Sequence, residues 1–166
     1  MTAIDDLILK LIETGRQASA EEVAAIIAHV AQAPFATYLA KVPNQLRRLL
    51  TGQGVELPVR LSSLAVHWLK RVVEEEQWPA GTTDVQYVAD LQKAILHPNV
   101  QIWSYHYYRQ PFVGFLSPSH IQGVRGARAF IFVAYSPLYG TITTGYQASD
   151  VDVIFTDDYT DVKQQR

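Results

Sequence analysis

His67 and Arg71 stand one helical turn apart in the run LAVHWLKRVVEEEQW, and that spacing is the first sign of chemistry in this chain. At about 100° per residue, Leu61, Leu64, Ala65, Trp68, Leu69, Val72 and Val73 make a broad apolar face and leave His67 and Arg71 together on its rim. A histidine there is partly withdrawn from water, and the neighbouring cation disfavours its protonated form. A neutral imidazole able to accept a proton at pH 7 is therefore expected. The same spacing also serves a plainer arrangement, in which Arg71 pairs with Glu74 or Glu75 and His67 merely packs.

A second polar group follows an apolar run in AFIFVAYSPLYGTITTGY, residues 129–146. Ala129 to Tyr135 is rich in β-branched and aromatic residues, Ser136-Pro137-Leu138-Tyr139-Gly140 reads as a turn, and the β preference resumes at Thr141. A hairpin is expected. The period of two puts Ile142, Thr144 and Tyr146 on one face of its second strand and Thr141, Thr143 and Gly145 on the other. Upstream, QIWSYHYYRQ alternates so that Trp103, Tyr105, Tyr107 and Arg109 share a face.

Charge is distributed unevenly. The net charge is −2, yet residues 99–149 contain Arg109, Arg125 and Arg128, with His106 and His120, and no Asp or Glu. A positive, tyrosine-rich surface of this kind suits contacts to phosphates and bases. A β-rich core segment that is simply poor in charge would have the same composition.

Other chemistries find less support. The chain has no cysteine, which removes thiol nucleophiles, Cys-ligated zinc and disulfides and fits a reducing compartment. No two histidines stand at i, i+3 or i, i+4, no HxE pair occurs, and GxGxxG and GxxxxGK are absent, so no metal or nucleotide cofactor is expected. The N-terminal MTAIDDLILKLIE carries acids and no basic n-region, which reads as an amphipathic helix and not a signal peptide. No apolar run reaches the roughly 18 residues of a membrane span. A cytoplasmic location is the expectation.

The elements that must position these residues follow from periodicity. Ile4, Leu7, Ile8, Leu11 and Ile12 mark a first helix ending at Gly15, and Ser19 caps a second that Pro34 stops. A short helix is expected over 44–50, the His67 helix follows Ser62 and Ser63, and another runs from Thr82 or Thr83 to Leu96. Strands are expected after Val100, at Phe112 to Leu116, in the hairpin, and at Val151 to Phe155 as an edge. The expected class is α+β, with a helical lobe at 1–54, helices packed on a small, mainly antiparallel sheet over 55–156, and a frayed polar tail at 157–166.

The segment His67-Trp68-Leu69-Lys70-Arg71, the strand Phe130 to Ala134 and the motif Thr143-Thr144-Gly145-Tyr146, in this helix-then-sheet order, resemble the compact ribonuclease fold of barnase, EndoU, colicin nuclease and RelE-type toxins, over about 100 residues. The resemblance implies His67, Arg71, Thr144 and Tyr146 as the matching catalytic positions of a metal-independent endoribonuclease. On this reading RNA supplies its own nucleophile in the ribose 2′-hydroxyl. His67 acts as general acid or base, Arg71 and Arg109 hold the phosphate, Thr144 donates to a non-bridging oxygen, and Tyr146 or Tyr107 stacks on a base. Arg128, in the basic loop before the hairpin, is a further substrate-binding candidate. The partners implied are RNA and an antitoxin or immunity-like protein. The contrasting reading is a non-catalytic binding or adaptor module whose aromatics meet a protein partner. Geometry separates the two, because an enzyme needs His67, Thr144 and an arginine to converge on a concave surface.

Overall fold

Two capping boxes open the chain. Thr2 accepts from the Asp5 amide, and Asp5 accepts in return from Thr2, which starts α1 (Ala3–Thr14). Ser19 and Glu22 do the same for α2 (Ala20–Val30). Gly15 ends α1 with φ 65°, a left-handed conformation that glycine adopts without a Cβ penalty. The computed structural model describes residues 1–166. It continues with β1 (Leu39–Lys41), α3 (Asn44–Gly52), β2 (Arg60–Ser62), α4 (Ser63–Leu69) and α5 (Asp84–Ile95). The remaining elements are β3 (Gln101–Tyr107), β4 (Gln110–Pro118), β5 (Gln122–Gly123), β6 (Gly126–Ala127), β7 (Phe130–Ser136), β8 (Thr141–Ala148), α6 (Val151–Ile154) and β9 (Tyr159–Gln164).

The fold is α+β. Its main sheet has five antiparallel strands in the order β8-β7-β4-β3-β9. One face carries Val113, Phe115, Ile131, Val133 and Tyr135 into a core with Ile8 and Leu11 of α1, Val23 and Ile26 of α2, and Leu91 and Ile95 of α5. Tyr135 also anchors the two leading helices through polar contacts. Its hydroxyl donates to Asp5 Oδ1 at 2.6 Å and lies 3.0 Å from His29 Nε2. The hydrophobic core therefore runs through the boundary expected at residue 54, and β1 of the expected lobe pairs with β2 beyond it. No helix is long and apolar enough to cross a membrane.

The opposite face of the sheet is only partly covered. Ile154 of α6 and the neighbouring Phe155 pack there on Tyr105, Phe132 and Ala148. Two C-terminal expectations are corrected by this arrangement. Val151 to Phe155 is not an edge strand, because Asp150 caps the segment as a helix by accepting from the Val153 amide. Residues 157–166 are not a frayed tail, because β9 pairs along β3. Gln165 explains the attachment: it is 5% exposed, accepts from the Ala18 amide at 2.7 Å and donates to Ser104 Oγ at 3.0 Å. A buried amide with its hydrogen bonds satisfied holds the terminus where an apolar anchor would be sought in the sequence.

Candidate functional site

The helix that carries His67 begins against the segment before β1. Ser62 accepts from the Ala65 amide, while the Ser63 and Leu64 amides donate to the carbonyls of Tyr38 and Ala36. Free amides at the start of α4 are thereby satisfied. Ala36 in turn donates to the Ile142 carbonyl at 2.8 Å, so the approach to α4 is tied to β8. After Leu69 the helix widens into a π-helical turn over Lys70–Glu74, with the Glu75 amide donating to the Lys70 carbonyl at 2.8 Å. Such turns are rare and recur at functional sites. Arg71 is the second residue of this one.

A β-bulge presents the other half of the site. Ala134 pairs with Thr144 but Tyr135 pairs with Ile142, leaving Thr143 as the extra residue. Strict alternation is lost at this point. Ile142 turns to the helix-covered face, where it is fully buried, and Thr143 and Thr144 both line the open side. The expected shared face of Ile142, Thr144 and Tyr146 is corrected accordingly, with only Thr144 and Tyr146 on it. On the far face Gly145 makes room for α5, since a Cβ there would lie 2.4 Å from Leu91.

These elements enclose a cavity of about 740 Å³. His67, Lys70, Arg71, Thr143, Thr144 and Tyr146 line one side, and the aromatic floor includes Tyr105, Tyr107, Phe112, Phe132 and Tyr159. Small residues create the depression. Ala134 faces Gly114 across the β4–β7 pair, and a Cβ at Gly114 would lie 2.5 Å from the Phe132 ring and 3.0 Å from Tyr105. Without that glycine the floor could not close beneath the cavity.

Thr144 Oγ1 is the meeting point of the polar groups. It lies 3.1 Å from His67 Nδ1 and accepts a long hydrogen bond, 3.5 Å, from Arg71 Nη2. Arg71 is held on two further sides. Its Nη1 donates to Glu75 at 2.6 Å, and its guanidinium carbon stands 4.8 Å above the Tyr146 ring. The plainer pairing of Arg71 with Glu75 thus coexists with contact to Thr144. His67 also packs its ring 5.7 Å from that of Phe35.

Protonation follows from this enclosure. Burial first, and then the charges of Arg71 and Lys70, push the His67 pKa down from 6.5 to about 3, so the imidazole is neutral at physiological pH. Burial pushes the Tyr146 hydroxyl up, with Tyr159 reinforcing and Arg71 opposing, so it stays protonated and can donate. No Asp or Glu lines the cavity. Its fixed charges are the two cations.

The structure brings His67, Arg71, Thr144, Tyr146 and Tyr107 to this one cavity and leaves Arg109 and Arg128 outside it. Arg109 belongs to the tight turn after β3, where Tyr108 and Arg109 have φ values of 47° and 64°, and the alternation that would align it with Tyr107 has already stopped. Arg128 is exposed before β7 and donates to the Gln147 carbonyl at 3.5 Å. Lys70, Thr143, Tyr38 and Tyr139 also join the lining, none of them among the site residues expected from the sequence. Adjacency to Arg71 was a usable signal for Lys70, and a bulge would have been needed to anticipate Thr143.

Comparison of the chain with protein-family models, with curated proteins and with solved structures finds no match.

Proposed function

We propose that the cavity binds RNA and cleaves it by transesterification from the ribose 2′-hydroxyl, without a requirement for a metal ion. The observation that carries this reading is the convergence of His67 Nδ1 and Arg71 Nη2 on Thr144 Oγ1, at 3.1 Å and 3.5 Å, within a cavity whose charged lining residues are all cationic. A neutral base beside fixed positive charge is what abstraction of a hydroxyl proton next to a phosphodiester needs.

The 3.1 Å contact accommodates either histidine tautomer. The reaction requires the one in which Nδ1–H donates to Thr144, leaving the Nε2 lone pair to take the 2′-hydroxyl proton. Thr144 then accepts from His67 and Arg71 and directs its own O–H at a non-bridging phosphate oxygen. Arg71 and Lys70 offset the charge that builds on phosphorus. Tyr146, protonated and fixed under Arg71, supplies a further donor. Lys70 is the cationic donor for the departing 5′-oxygen, and the products are a 2′,3′-cyclic phosphate and a 5′-hydroxyl.

The depressed His67 pKa bears on this role. A base with a pKa of about 3 is weak, first because His67 is buried and then because of the charges of Arg71 and Lys70. A bound phosphodiester offsets those two charges and so relieves the electrostatic part of the shift, while the part due to burial stays. Incubation of the purified protein with single-stranded RNA in excess chelator tests the proposal. Fragments ending in 2′,3′-cyclic phosphate support it, and intact RNA or fragments with 3′-hydroxyl ends overturn it.

A further inference from the structure

We infer that Tyr38 and Tyr139 form a nucleobase-stacking subsite at the mouth of the cavity, and that the ligand is therefore single-stranded RNA. The identity of the anion rests on the phosphodiester reading above, whereas the stacking argument stands on the disposition of the rings.

Eight aromatic side chains line the cavity. Tyr105, Tyr107, Phe112, Phe132, Tyr146 and Tyr159 are engaged with one another, with ring centroids 4.6 to 6.4 Å apart. Arg71 in addition occupies a face of Tyr146. Those rings make a floor, and few of their faces are free. Tyr38 and Tyr139 differ: they are 61% and 70% exposed and pair with no other aromatic ring.

Their exposure does not come from loose backbone. The Tyr38 carbonyl accepts from the Ser63 amide at 2.8 Å, at the start of the helix that carries His67. The Tyr139 amide donates to Ser136 Oγ at 3.3 Å, and the next amide, Gly140, donates to the Ser136 carbonyl at 2.8 Å. Both supporting segments meet at Ile142, whose amide donates to Pro34 and whose carbonyl accepts from Ala36. Two large rings are thus held in water on fixed supports, beside Lys70 and Arg71, with no carboxylate in the lining to repel a phosphate. Exposed rings on a hydrogen-bonded backbone next to cations suit a base and its adjoining phosphate. A base inside a duplex has both faces covered by its neighbours, so only an unpaired strand offers a face to Tyr38 or Tyr139.

Binding of a fluorescein-labelled 2′-O-methyl RNA decamer to the full chain, single-stranded or annealed as a blunt duplex, tests the inference. The probe lacks the nucleophilic hydroxyl, so association is read apart from cleavage. The single strand should bind at least about tenfold more tightly than the duplex, and Tyr38→Ala with Tyr139→Ala should weaken it about tenfold or more. Tyr38→Phe with Tyr139→Phe, which keeps the rings, should stay within about twofold of the parent. Equal affinity for the duplex, unchanged affinity in the alanine protein, or no binding of either probe overturns the subsite. The two readings fail separately. Ring-independent binding with normal cleavage of unmodified RNA removes the subsite alone, and ring-dependent binding of the single strand without cleavage supports the subsite and removes the nuclease.

Discussion

Thr144 Oγ1 and His67 Nδ1 lie 3.1 Å apart although the two residues are 77 positions apart in the chain. The contact joins the rim of a helix to a bulged strand, and Arg71 reaches the same oxygen. Thr144→Val keeps the shape and removes the hydroxyl, so His67 loses its hydrogen-bond partner at Nδ1. Cleavage should fall on the order of 10²-fold in kcat, the magnitude seen for single positioned donors, while Thr144→Ser should retain most activity. Steady-state kinetics on a short single-stranded RNA check both.

The pH dependence of cleavage should differ between the free and the loaded site. With the His67 pKa at about 3, kcat/KM should be flat on its acid side from pH 8 down to about 5. On the proposed mechanism, phosphate in the complex would offset the Arg71 and Lys70 charges and raise the His67 pKa, so the acid limb of kcat should lie at higher pH than that of kcat/KM. Coincident limbs would contradict substrate-linked tuning of the base.

Stability should respond to the same residue. The folded pKa of His67 lies below its ordinary value of 6.5, so between 6.5 and about 3 the unfolded chain takes a proton that the folded one refuses. The contribution is complete above about pH 6.5 and is lost as pH falls toward 3. Thermal melts from pH 7.5 to 4.5 should show a smaller drop in Tm for His67→Gln than for the parent. Parallel drops would show that His67 is not the group responsible.

Gly114→Ala tests the floor of the cavity. The new Cβ would meet the Phe132 ring at 2.5 Å, and Phe132 is packed against Tyr105 and Tyr146. Overpacking should cost about 1–3 kcal/mol in denaturant unfolding and should lower RNA binding as the ring is pushed toward the cavity. Unchanged stability would mean that the floor is looser than described.

Helical periodicity locates the His67 helix, and the β-branched and aromatic run Ala129 to Tyr135 locates the apolar strand that the fold places at Phe130–Ser136, because each signal is local and spans several residues. Ile142 lies on the face opposite to the one strict alternation predicts, because a single bulged residue resets alternation and Thr143 carries no local mark that it will be the extra one. Val151 to Phe155 had a strand-like pattern only five residues long, and one capping aspartate sufficed to override it. The role of Gln165 depends on partners at Ala18 and Ser104, so nothing in its own neighbourhood announced it. Tyr38 illustrates the same limit at the site, since it precedes the His67 helix by a lobe-sized stretch and enters the cavity through pairings that only the fold creates.

The most direct test of the account is the single-turnover rate at which His67→Ala cleaves single-stranded RNA in the presence of chelator, measured beside the parent protein. Loss of the positioned base should slow cleavage by about 10²–10⁴-fold, with the variant still folded by circular dichroism. A His67→Ala protein that cleaves as fast as the parent would contradict the assignment of His67 as the base, and with it the proposed mechanism.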